Sequence, residues 1–209
     1  MKVKRLAAIT LTLAALGAGM VYASGGPWGE YEGFTKVRVL VNNEEIEEED
    51  VPAFVINGRA VLPLRSVANS LQVLVQWDDE TKTAVIHKPN VHMFVAQRIG
   101  KDDSLITPFG KVTRDNKGQS KTMDFVVSAQ VDSLKTAIHS FKIEMLNPQG
   151  TVIRSSETVQ PDGKDSFWYT WPVEGVSFDM TGEYKLRFMV RPDAESGFVS
   201  VSERTIVSE

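Results

Sequence analysis

The sequence predicts a mainly β protein in two parts: a small α+β module with one short helix, then an all-β sandwich. Three observations carry this. Apolar and polar residues alternate at a period of two in several stretches. Only Leu64–Leu71 shows a helical period. Cysteine is absent, so no disulfide can staple the chain and a buried core must hold it together.

Lys2, Lys4 and Arg5 precede an uncharged, Ala- and Leu-rich run from Ala7 to Tyr22. This pattern predicts a signal peptide over residues 1–23, cleaved after Ala23. The run is shorter than the roughly 20 apolar residues a membrane-spanning helix needs, so no membrane insertion is expected after cleavage. A disulfide-free exported chain fits a secreted or cell-wall-associated bacterial protein. Removing three cations from 23 leaves 20 Lys plus Arg against 27 Asp plus Glu. So acidic a surface repels phosphate backbones, which argues against nucleic acid as a partner.

Residues 24–35 are Gly-rich and irregular, with Trp28, Tyr31 and Phe34 three apart. They are expected to strap onto their own domain. Residues 36–90 form the small module. Val37, Val39 and Val41 give a first strand that turns at Asn42-Asn43, and Ala53–Ile56 a second. Asn57-Gly58 is a two-residue hairpin signal, because a type I′ turn needs positive φ at both positions. After Ala60-Val61-Leu62, Pro63 suits the first position of a helix, whose face is Leu64, Val67, Ala68 and Leu71. Val73, Val75 and Trp77 alternate as a strand, Asp78–Thr81 turns, and Thr83–His87 is the last strand.

Several of these signals occur together in a known order: Asn42-Asn43, Ile56-Asn57-Gly58-Arg59, Leu62-Pro63-Leu64-Arg65, Val75-Gln76-Trp77-Asp78 and Lys82–Ile86. The segment from about residue 37 to 88 resembles the copper amine oxidase N-terminal-like domain, or stalk domain. Asn69-Ser70-Leu71-Gln72 departs from it, since such helices often end in Ala-Leu-Gly, as does the acidic stretch before Val51. The resemblance implies an extracytoplasmic module and no amine oxidase activity. In those enzymes the copper and the cofactor-forming tyrosine lie in a separate catalytic domain. None of Tyr22, Tyr31, Tyr169 or Tyr184 follows an Asn, as that tyrosine does.

Residues 91–209 predict the sandwich. Met123–Val131, Ala137–Leu146 and Tyr184–Val190 alternate, punctuated by turns at Asn147–Gly150, Pro161–Gly163 and Thr181-Gly182. Gly182–Phe188 resembles the penultimate strand of immunoglobulin-like domains, in which a Tyr hydroxyl bonds a nearby backbone group. Gly100–Ser120 is polar and Gly-rich and is expected to be a long loop.

No catalytic constellation emerges, and the expectation is a protein that is not an enzyme. There is no nucleophile elbow and no phosphate-cradling glycine loop. The acidic run Glu44–Asp50 lacks the Asp, Asn and Gly mixture of calcium loops and is expected to be a solvated loop. His87, His92 and His139 show no ligand spacing, so neither metal nor cofactor is expected. Arg65 is expected to cap or to pair with Asp78 or Asp79. The aromatic run at Phe167–Trp171 is the one functional candidate. Phe167, Tyr169 and Trp171 share one strand face and Trp168 takes the other. One face must be core, and an exposed one can stack on sugar rings or a partner, which makes Trp168, Tyr169 and Trp171 the candidate binding residues. The expected function is a non-catalytic binding or structural module of the bacterial envelope, with a cell-wall polymer or envelope protein as partner. The alternative is an extracellular enzyme or enzyme inhibitor with its site at the domain junction.

Overall fold

The computed structural model describes residues 26–46, 51–113, 121–161 and 163–209. The expected signal peptide lies outside these residues, as do Glu47–Asp50 of the acidic run. The chain gathers into two compact units, one ending at Pro63 and one beginning at Leu64. The stretch 36–90 is thus shared between them.

The first unit is built from three small hairpins. Strands β1 (Glu30–Tyr31) and β2 (Phe34–Thr35) pair within the expected strap. Strands β3 (Leu40–Val41) and β4 (Glu44–Glu45) close around Asn42 and Asn43, with φ of 52° and 70°. Strands β5 (Phe54–Ile56) and β6 (Arg59–Val61) close around Asn57 and Gly58, with φ of 50° and 72°. The Asn57-Gly58 turn carries the double positive φ that its sequence predicted, and the expected turn at Asn42-Asn43 has the same geometry. The start of the acidic run is a strand rather than a loop, because Glu44 and Glu45 pair with Val41 and Leu40 and Glu45 also binds Arg38 at 3.0 Å. The Tyr31 and Phe34 rings pack on Phe54, with centroids 5.9 and 5.4 Å apart.

The second unit opens with helix α1 (Leu64–Ser70). Its end is a Schellman closure in which the Val73 amide reaches back to the Ala68 carbonyl at 3.0 Å and Gln72 sits at φ 57°. Gln72 thus fills the left-handed position that glycine favours, at the site where the sequence departs from the stalk-domain pattern. Strands β7 (Leu74–Asp78) and β8 (Thr83–His87) form a ribbon. Arg65 does not pair with the ribbon's acids as expected. Asp79 takes Lys82 at 2.7 Å, and Asp78 folds its own turn by accepting from the Glu80 and Thr81 amides.

The remaining strands are β9 (Asn90–Ile99), β10 (Leu105–Pro108), β11 (Lys111–Val112), β12 (Lys121–Ser133), β13 (Ser140–Leu146), β14 (Val152–Ser155), β15 (Phe167–Phe178), β16 (Gly182–Arg191) and β17 (Val199–Ser208). They form two sheets, ordered β10-β9-β12-β15 and β11-β17-β16-β13-β14. Part of the expected loop at 100–120 is therefore strand: β10 pairs antiparallel with β9, and β11 runs parallel to β17. The two sheets enclose one core. Phe141 of the five-stranded sheet meets Phe167 and Tyr169 of the four-stranded sheet at 5.0 and 5.1 Å, and Tyr184 meets Phe178 at 4.8 Å. Strand alternation supplies this core, since Phe125, Val127, Ala129 and Val131 all point inward while their neighbours point out.

Among the described residues the result is a mainly β fold with one short helix and an immunoglobulin-like sandwich. Its tyrosine corner is present: the Tyr184 hydroxyl accepts from the Met180 amide at 3.0 Å and donates to Asp179 Oδ1 at 3.1 Å.

Candidate functional site

The aromatic run lies on β15, at the outer edge of the four-stranded sheet. Its two faces divide sharply. Trp171 is 8% exposed, and Phe167 and Tyr169 pack against the core through Phe141. Trp168 points the other way and is 60% exposed. Of the three candidate residues, only Trp168 is offered to solvent, while Tyr169 and Trp171 are turned inward and fix the strand beneath it.

Trp168 has a companion that the sequence reading missed. The Phe94 ring, on β9, stacks with it at 6.3 Å and an interplanar angle of 18°. Strands two apart in a sheet lie about 9.6 Å from one another, so the two rings lean together over the intervening β12. The pair crosses β12 diagonally, since Ser128, only 3% exposed, is opposite Phe94 and Gln130 is opposite Trp168. The signal for Phe94 was present in the sequence: Val91, Met93 and Val95 form the inward set, which leaves Phe94 outward.

Planar polar groups adjoin the rings. Gln130 sits opposite Trp168 on one side and His92 on the other. Its amide donates to Asp132 Oδ1 at 2.7 Å, and Asn90 donates to Asp132 Oδ2 at 3.3 Å. The face thus joins a flat apolar surface to an amide–carboxylate–amide group that can donate and accept at once. Such a surface suits a ligand with apolar C–H faces and hydroxyl edges.

The histidines do not converge with each other as a set: His87 ends β8 and His92 lies on β9 after the break at Pro89, while His139 precedes β13. Among the described residues, no group of three or more His, Asp or Glu side chains is placed to hold a metal ion. Likewise, no helix among them is long and apolar enough to cross a membrane.

The described residues define a mainly β fold, and comparison with known proteins gives it a relation. Residues 40–124 match the family described as the copper amine oxidase N-terminal domain, so the resemblance seen over residues 37–88 is shown and reaches into β12. What matches is the non-catalytic N-terminal part of those oxidases. The chain is also 27% identical, over its whole length, to a protein of Brevibacillus choshinensis named "Protease inhibitor". It spans about three fifths (61%) of that relative's length.

Proposed function

We propose that this protein is an exported, non-catalytic module that holds a cell-wall glycan against the outer face of its four-stranded sheet. One observation carries the reading: Phe94 and Trp168 form an exposed stacked pair, bordered by Gln130, Asn90 and Asp132. Aromatic faces receive the C–H faces of sugar rings, and the amide and carboxylate groups receive vicinal hydroxyls. Preorganisation supports it, because both rings stand on rigid strands rather than loops. The family match, to a domain outside the catalytic part of its parent enzymes, is consistent with an accessory role.

The test is cosedimentation of the purified protein with cell walls from its own host, before and after secondary polymers are stripped. Saturable binding that survives stripping and is lost in Trp168→Ala supports glycan binding. Failure to bind either preparation overturns it and turns the search to an envelope protein.

A second reading is inhibition of an extracellular protease, favoured by the name of the Brevibacillus choshinensis relative and its alignment along the whole chain. Titration of trypsin-like and subtilisin-like proteases with the purified protein decides it. Stoichiometric loss of proteolysis, unaffected by Trp168→Ala, would replace the glycan reading.

A further inference from the structure

The opposite face of the sandwich has a different chemistry. Strand β16 buries Tyr184, Leu186, Phe188 and Val190, and so turns Lys185, Arg187, Met189 and Arg191 outward. Strand β13 places Ser140 across from Arg191 and Lys142 across from Met189. Strand β17 adds Ser200 on the other side of Met189.

Carboxylates are distributed unevenly over this face. Glu203 pairs with both Lys185 and Arg187 at 3.1 Å, and Glu144 pairs with Lys142 at 2.5 Å. Arg191 has no carboxylate within ion-pair distance among the described residues. Its guanidinium carbon instead lies 4.4 Å from the Phe198 ring centroid, and Lys142 Nζ lies 4.4 Å from the same centroid. Two cations therefore converge on one ring, and of the two only Lys142 has a carboxylate partner among the described residues.

Hydrogen bonding is also incomplete here. Among the described residues, four buried side-chain polar atoms have no partner: Ser140 Oγ, Arg191 Nε, Ser200 Oγ and Ser208 Oγ. The first three belong to this patch, and Ser208 lies at the far end of β17. Ser140 is 1% exposed although its strand position faces outward. Buried donors are nearly always satisfied, so Ser140 and Arg191, directly opposite one another, call for a common acceptor, whereas Ser200 lies two strands away from Ser140 and outside the reach of the same group.

We propose that Ser140, Lys142 and Arg191, flanked by Phe198, form a binding site for a phosphate ester. A phosphoryl group offers several tetrahedrally disposed acceptor oxygens, enough for Arg191 Nε–H, the Ser140 hydroxyl and the Lys142 ammonium, whereas a planar carboxylate has only two. Its charge answers the unpaired guanidinium, whose fork suits phosphate. The site lies on the face opposite Trp168 and stands independently of the glycan reading. A polymer phosphodiester, a lipid headgroup and a free ester share this chemistry.

The experiment titrates the purified protein with glycerol 3-phosphate at constant ionic strength, following the NMR signals of the Ser140 and Lys142 amides and Arg191 Nε–H. Saturable shifts are expected at all three. Arg191→Gln is expected to weaken binding about tenfold or more and Lys142→Gln severalfold, while Lys82→Gln, in the distant β7–β8 turn, leaves it unchanged. Poly(glycerol phosphate) and phosphatidylglycerol vesicles are then compared with the free ester. Tighter binding of the polymer, of the vesicle, or of neither identifies a wall polymer, a membrane surface or a small solute as the source, each through this same site. The proposal is overturned if no saturable shift appears, if sodium chloride alone reproduces the shifts, or if Arg191→Gln and Lys142→Gln, both folded by their amide spectra, bind as the parent does.

Discussion

The two outer faces of the sandwich rest on one core but present opposite chemistry. The four-stranded sheet shows stacked rings across β12, with uncharged amides and a carboxylate beside them. The five-stranded sheet shows a lattice of cations, largely compensated by Glu144 and Glu203 except at Arg191. Strand alternation permits this: each strand gives every second residue to the shared core, and the rest are free to serve whichever surface they face. The inward set decides the fold, and the outward sets divide its possible uses.

The largest effect should come from breaking what the faces share. Phe141 touches Phe167, Tyr169 and Phe188, so Phe141→Ala is expected to cost about 3–5 kcal/mol. Chemical denaturation checks this, and wall binding and phosphate binding should fall together near the midpoint. Tyr184→Phe removes the hydroxyl that joins Met180 to Asp179, and a loss of about 1–2 kcal/mol is expected without selective damage to either face.

A gain sharpens the picture from outside the sandwich. Gln72 holds φ 57° at the end of α1, so Gln72→Gly should stabilise the protein by up to about 1 kcal/mol, seen as a higher denaturation midpoint. Trp168→Ala should change stability by no more than about 0.5 kcal/mol, because the ring is mostly exposed, and yet abolish wall binding. Selective loss of that kind separates a face from the core.

The smallest effect is electrostatic. The Thr81 hydroxyl and the Thr81 and Glu80 amides all hydrogen-bond to Asp78, which holds its carboxyl below the usual carboxylate range. A depressed folded-state value adds stability above the ordinary pKa, which is lost as the pH falls through the lower, folded value. The β7–β8 turn should therefore loosen locally in acid below the ordinary carboxylate range, with faster exchange at the Glu80 and Thr81 amides. Both faces of the sandwich should stay intact at that point.

Local chemistry was legible in the sequence. Asn42-Asn43 and Asn57-Gly58 specify their hairpins within four residues, and Met123–Val131 and Tyr184–Val190 declare their buried faces by alternation. Less legible was anything assembled across distance. Strand β11 is two residues long and finds its partner 96 positions further on, so nothing near Lys111 announces it. Phe94 and Trp168 meet because β12 brings both of their strands to its two edges, a fact of sheet order rather than spacing. The same holds for Arg191, Lys142 and Phe198. Arg65 was expected to cap or to pair with Asp78 or Asp79, but the nearer Lys82 takes Asp79 within the turn at far lower entropic cost, and Asp78 is held by Glu80 and Thr81.

The parallel pairing of β11 with β17 has a mechanical consequence. The Val207 and Glu209 amides bond to the Gly110 and Val112 carbonyls at 2.9 and 3.0 Å, and β16 holds the other edge of the same strand. A pull directed along β17 loads these bonds in shear, so they must yield together instead of parting one by one from an end. A domain tethered through that strand resists tension much as a glued lap joint does, by spreading the force along its whole overlap.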